Sequence, residues 1–176
     1  MLNNKKYKIG VITPYHLESN DVLNQCHESV LRQTYPCQHI LVADGHPNNI
    51  IDSWDASHII LPVQHSDNGD TPRTIGSICA ANEGYDAIAY LDADNWFYPE
   101  HIESMVSLYE KTTADVCTSR RSIHRLDGSL MFIDGESDGD KFSDTSCIFL
   151  TKNAFTLSLI WAFIPNEISP FCDRFF

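Results

Sequence analysis

The sequence predicts an α/β fold, with a mostly parallel central sheet flanked by helices and a β-hairpin in its C-terminal half. Three observations predict it. Up to residue 113, short β-branched runs alternate with segments of helical spacing, the pattern of layered βα units. Thr13–Pro14, Asp44–Gly45 and Asp92–Asp94 all stand where those runs end, and ligands of such sheets gather at the carboxyl ends of strands. After residue 115 two β-rich runs flank Asp127–Gly128, a hairpin signature with a primed turn.

The elements follow in order. KIGVIT (8–13) is a strand running into a turn at Pro14. In ESNDVLNQCHESVLRQT, Val22, Leu23, Cys26, Val30 and Leu31 recur at helical spacing. QHILVADG is a second, buried strand and SHIILPV a third. A polar loop, QHSDNGDTP, leads to a helix over RTIGSICAANEG with Gly84 as its stop. YDAIAYLDAD is the fourth strand, and PEHIESMVSLYEKT a helix with Pro99 in its first turn. DVCTSRRSIHRL and SLMFID form the hairpin arms, DGESDGDKFSD an acidic loop, and TSCIFLT another strand before NAFTLSLIWAFI. No internal repeat and no linker marks a second domain.

Bulk properties narrow the function. The chain has 176 residues, with 12 Lys plus Arg against 24 Asp plus Glu and a net charge of −12. So negative a surface disfavours nucleic acid and anionic membranes as main partners. A small anionic ligand remains compatible where a metal or an arginine reverses the local sign. The opening MLNNKKYKIG lacks the apolar core of a signal peptide. The longest apolar run, AFTLSLIWAFIP, is too short to span a bilayer and reads as a buried helix or strand. The six cysteines are scattered without a C-x-x-C pair, so they read as reduced core residues, and the expected location is cytoplasmic.

Asp92-x-Asp94 is the main candidate for chemistry. Two carboxylates on one face repel unless a cation sits between them, and hard oxygen ligands suit Mg²⁺ or Mn²⁺, whose shell is often completed by phosphates. The structural alternative is a strand-to-helix turn with one aspartate as a cap. Arg73 opens a helix, where a cation opposes the helix dipole, so an anion nearby is expected. The loop 134–145 matches a calcium loop at its first positions but carries Thr145 where a bidentate glutamate is needed; a solvated loop is the better reading. No H-E-x-x-H is present, and His16, His46 and His65 read as polar loop residues. Trp96 and Tyr98 suit either a sugar face or packing at a helix start.

Taken together, VITPYH, SVLRQTYPCQHILVADG and TPRTIGSICAANEGYDAIAYLDADNWFYPEHIE resemble the motifs of family 2 glycosyltransferases, in order, over roughly residues 8–110. The resemblance implies a GT-A (Rossmann-like) fold, with residues 1–113 as the nucleotide-sugar-binding half and 114–176 as an acceptor-side half of one domain. It also implies a metal-dependent, inverting transferase that moves a sugar from a nucleotide-diphosphate donor, UDP-sugar favoured, to an acceptor hydroxyl. By the same resemblance Asp94 coordinates Mn²⁺ or Mg²⁺, with Asp92 near metal and ribose. Thr13 and Pro14 belong to the donor site, Asp44 faces the base or ribose, and Arg73 serves diphosphate or base. Asp173, in SPFCDRFF, matches the general base; its alternative is a pair with Arg174 or a helix cap.

Two positions depart from the family pattern. Ala43 replaces the first of two aspartates, which leaves the donor base open, and Thr74 stands where asparagine usually follows the arginine. Family members usually continue beyond the equivalent of Phe176, so the chain reads as a truncated form or as a short form with an open acceptor side. The acceptor, saccharide or lipid-linked glycan, and a homo-oligomeric state are left open. A nucleotidylyltransferase would need a glycine-rich basic loop after the first strand, and a D-x-D-x-T phosphatase would carry its aspartates there. The competing reading from another class is a non-catalytic module of the same fold that binds a nucleotide or nucleotide-sugar.

Overall fold

The computed structural model describes residues 6–125, 127–140, 142–165 and 167–170. A six-stranded sheet has the order β3-β2-β1-β4-β8-β5. Its strands are β1 (Ile9–Tyr15), β2 (Gln38–Ala43), β3 (Ala56–Ile60), β4 (Ala87–Tyr90), β5 (Val116–Thr118) and β8 (Ile148–Thr151). The β1–β2, β1–β4 and β2–β3 ladders are parallel, while β8 runs antiparallel to β4 and β5. The helices are α1 (Asn20–Leu31), α2 (Asp70–Asn82) and α3 (His101–Thr112).

Side-chain alternation along the strands sorts the core onto the two faces of the sheet. Ile12, Ile40, Val42, Ile88 and Tyr90 pack with Ala80 of α2 and with Phe155 and Trp161. Val11, Ala87, Ala89 and Leu91 point the other way, onto Cys26 and Val30 of α1 and Ile102, Met105 and Val106 of α3. Helices therefore cover both faces, as a buried parallel sheet requires. Ser19 caps α1, accepting from the Val22 N–H.

Pro14 lies inside β1, one residue before its end, although proline is usually excluded from central strands. Tyr15 O accepts from Asp44 N–H on the β2 side, and Ile12 O accepts from Leu91 N–H on the β4 side. Alternation turns Pro14 toward β4, beyond the last β1–β4 pair, Ile12 with Tyr90. Its missing N–H faces the crevice where the strands diverge, so no ladder bond is lost.

Three segments differ from the sequence expectation. The run 115–126 is not one hairpin arm: Val116–Thr118 joins the main sheet against β8, burying Cys117. Only β6 (Ser122–His124) pairs with β7 (Leu130–Ile133). Their loop closes through Gly128 N–H to Arg125 O and Arg125 N–H to Ser129 O, with Gly128 left-handed at φ 82°; because β6 ends at His124 and β7 starts only at Leu130, the connection is longer than the two-residue primed turn. A short 3₁₀ helix, Asn49–Ser53, is capped by the Asn48 side chain. The apolar run near the end is a 3₁₀ helix, Phe155–Phe163. With three residues per turn, Phe155, Ser158 and Trp161 share its buried face.

Candidate active site

The carboxyl ends of β1, β2 and β4 and the start of α2 enclose a cavity of ≈ 570 Å³. It lies at the switch point of the sheet, where β1 is flanked by β2 on one side and β4 on the other. Pro14, Asp44, Arg73, Asp92 and Asp94 all line it, so five of the positions singled out in the sequence converge. Thr13 does not join them. Its side chain is fully buried, with Oγ1 hydrogen-bonded to His39 Nε2 at 2.9 Å. Asp173 lies outside the described residues.

Asp92 and Asp94 follow the last residue of β4 in a turn closed by Asn95 N–H to Asp92 O. Ala93 between them is buried, which leaves both carboxylates on the open side. Burial and then the neighbouring Asp92 charge raise the Asp94 carboxyl above its ordinary value. A site that makes a carboxylate reluctant to ionise is one that a cation would relieve. Two carboxylates fit Mg²⁺ or Mn²⁺, which take one or two protein carboxylates with phosphates and water. Among the described residues no cluster of three or more His, Cys, Asp or Glu is placed to hold a metal.

Arg73 meets the anion that its place at a helix start leads one to expect. It is 5 % exposed, and its Nη2 donates to Asp92 Oδ1 at 2.5 Å while Nη1 donates to Asn68 O at 2.9 Å. Asp70 Oδ1 lies 3.6 Å from Nη1. The fork therefore holds an aspartate of the D-x-D in one orientation, and these two carboxylates explain a cation at a helix start. Ser146 supports Asp92 from the other side, where its Oγ accepts from the Asp92 N–H and Asn95 Nδ2, each at 3.2 Å. Nothing in the sequence marks Ser146, because its role depends on β8 returning beside β4.

Asp44 is also engaged. Its carboxylate accepts from His65 Nδ1 at 2.8 Å and from the backbone N–H groups of His65 and Ser66. Burial alone would raise this carboxyl, but the His65 and Ser66 hydrogen bonds outweigh it and hold it below its ordinary value. Gly45 explains how the chain passes so close: it is left-handed at φ 76°, and a Cβ there would sit 2.4 Å from Gln64 N. Ser66, Asn68 and Gly69 are left-handed too, so the loop leading to α2 is a strained cradle fixed by Asp44. Such strain concentrates at functional sites. His16 and His46 place their Nδ1 atoms 3.0 and 3.4 Å from Asp44 O, as polar loop residues.

A second cavity, ≈ 540 Å³, opens on the other side of the aspartates, and Asp92 and Asp94 line both. The acidic loop borders it as a braced wall. Arg121 donates to Asp134 at 2.7 Å and to Asp144 at 2.5 Å, which commits Asp134, the first ligand position of a calcium loop.

A sequence profile described as Glycosyl transferase family 2 matches residues 10–153. The chain belongs to that family. No curated protein matches its sequence. Among solved structures, this glycosyltransferase is similar to S. aureus TarS 1-349 in complex with UDP, with a TM-score of 0.66 and 13% identity over 95% of this chain and 53% of that one. The same TarS segment in complex with UDP-GlcNAc gives a TM-score of 0.60 at 12% identity, covering 85% and 46% of the two chains. At such identities the likeness speaks for the fold, here GT-A. The chain spans about half the length of those structures. No helix among its described residues is long and apolar enough to cross a membrane.

Proposed function

We propose that this glycosyltransferase is metal-dependent and inverting, taking a UDP-sugar as donor in the first cavity and an acceptor hydroxyl in the second. The observation that carries the reading is the placement of Asp92 and Asp94 on the ridge between the two cavities. That ridge is where a donor's diphosphate and an incoming acceptor have to meet. The structural likeness to TarS bound to UDP and UDP-GlcNAc supports uridine. We further take residues 1–113 as the nucleotide-sugar half and 114–176 as the acceptor half of one domain. Five described cysteines are free thiols, which suits a reducing, cytoplasmic setting.

Asp92 and Asp94 would hold Mn²⁺ or Mg²⁺, which when bound neutralises charge on the leaving diphosphate. The protein's own residues do the rest. Arg73 and Ser146 fix Asp92, while Asp44 and the left-handed residues after it shape the nucleoside cradle. The acceptor oxygen bonds to the anomeric carbon as the bond from that carbon to the diphosphate oxygen breaks on the opposite face. The hydroxyl proton passes to a base, and Asp173 takes that role by its match to the family. The Cys26 thiol beside Thr13 is no rival nucleophile, since burial pushes it up to about 12.

One observation favours the non-catalytic alternative: the Asp44 carboxylate is already occupied by His65 and Ser66. Asp173→Asn separates the two readings, because a transferase loses turnover by orders of magnitude while keeping its affinity for UDP. The donor site itself is tested by thermal shift with UDP, GDP, CDP and ADP, each with and without Mn²⁺. Ligand at about a hundredfold over Kd adds ~2.7 kcal/mol, on the order of 5–10 °C here. UDP with Mn²⁺ should give that shift, and Asp94→Asn should lose it. No shift with any nucleotide would sink the donor-site reading.

A further inference from the structure

The second cavity says something about the acceptor, given the transferase reading above. Its wall beyond the D-x-D is aromatic: Trp96 is 37 % and Tyr98 51 % exposed. Rings left that open, directly after the aspartates, offer a flat apolar face with a polar rim, which matches a sugar ring. They are also held in place. Tyr98 Oη donates to His124 Nε2 at 2.9 Å, because His124 Nδ1 must carry its proton to reach Gly128 O at 3.0 Å. Trp96 meets the same imidazole edge-on, with ring centres 5.1 Å apart. The β6–β7 hairpin thus braces the platform. His101, in the same wall, keeps Nε2 buried with no hydrogen-bond partner among the described residues.

The charge at the mouth is the second, independent observation. Arg121 is bound to two carboxylates, but its neighbour Arg120 is exposed and makes no ion pair or hydrogen bond among the described residues. In a chain of net charge −12, a guanidinium left unpaired beside a cavity is available for an anion from outside, and its planar fork suits carboxylate or phosphate. We propose that the acceptor is an anionic saccharide, stacked on Trp96 and Tyr98 with its carboxylate or phosphate on Arg120.

Isothermal titration with three probes tests this, in the presence of UDP and Mn²⁺: neutral cellotriose, trigalacturonate and glucose 6-phosphate. At least one anionic probe should bind about tenfold more tightly than cellotriose, and which one does so tells carboxylate from phosphate. Arg120→Ala should erase that preference, and Trp96→Ala should weaken every probe that binds. Equal binding of cellotriose and both anions, indifference to Arg120→Ala, or no binding of any probe would overturn the proposal. The UDP thermal shift is read on the same samples. If sugars bind with the expected preference but UDP gives no shift, the donor reading fails and the anionic site stands; if UDP shifts but no anion preference appears, this proposal alone fails.

Discussion

Arg73 shows how one buried side chain can orient a neighbouring carboxylate of the site. Its fork is used on Asp92 and on the Asn68 carbonyl, so under the function proposed above it acts on the donor through the orientation of a D-x-D carboxylate. Removing one partner of a mostly buried pair costs about 3 kcal/mol. Arg73→Ala should therefore lower Tm by about 6–12 °C and reduce kcat, while Arg73→Lys should recover part of the stability and little of the turnover. An unchanged Tm in the alanine variant would contradict the clamp. His39 offers a second test at this scale. It is fully buried between His27 Nδ1 at 2.9 Å and Thr13 Oγ1 at 2.9 Å, with Cys26 beyond Thr13. Burial first, and then His27, lower it to about 3. Burial also lowers His27, partly countered by Glu28 and Asp55. Unfolded histidine titrates near ~6.5, so between that pH and about 3 the unfolded chain takes a proton that the folded one refuses. Stability should fall as pH drops through this window and gain nothing from His39 above it. Tm measured at pH 7 and pH 5 should differ less in His39→Gln than in the natural protein; parallel curves would show that His39 does not carry the slope.

Among the elements, the closing 3₁₀ helix is the one whose period was hidden. Phe155, Leu157, Leu159, Ile160, Trp161 and Phe163 look uniformly apolar in sequence, and neither a strand nor an α-helix pattern chooses a face. The structure chooses a period of three: Trp161 is fully buried, edge-on to Tyr90 at 4.7 Å, while Phe163 is 81 % exposed. Thr74 on α2 donates to Ser158 O at 3.2 Å and pins the segment, a use for the threonine that departs from the family pattern. Trp161→Ala should cost about 3–5 kcal/mol, whereas Phe163→Ala should stay within about 0.5 kcal/mol. Urea denaturation of both variants checks the contrast, and equal losses would refute the assigned face. The first four strands and three α-helices were legible because their alternation and helical spacing are local properties of the chain. The division of 115–126 between two sheets was not. Val116–Thr118 leaves the hairpin because β8, about thirty residues later, offers Cys117 a buried ladder.

For the whole molecule, the same contrast between local and long-range signals decides how much of the site could be read. Pro14, Asp44, Arg73, Asp92 and Asp94 stand at strand ends or at a helix start, and the parallel topology gathers them into one cavity. Ser146, the His65 cover on Asp44 and the second cavity depend on contacts across 21 to 54 residues of sequence, which no local pattern encodes. The architecture also predicts an uneven stability. β1, β2 and β4 are buried on both faces, whereas β6 and β7 form a separate two-stranded sheet whose Leu130, Met131, Phe132 and Ile133 are all exposed. A two-stranded ribbon is marginal by itself, and segments with few buried contacts open at a small fraction of the global free energy. Amides of Ile123 and Phe132 should thus exchange at least about a thousandfold faster than those of Val11, Leu41 and Ala89, corresponding to about 4 kcal/mol less protection. Since this hairpin holds His124, and His124 holds Trp96 and Tyr98, occupation of the second cavity should slow exchange in β6 and β7 while leaving β1 and β2 unchanged. Hydrogen exchange followed by mass spectrometry, with and without the tightest-binding saccharide probe, reads both effects. Equal protection of hairpin and central strands would mean that the wall of the second cavity belongs to the rigid core, with nothing for a bound sugar to order.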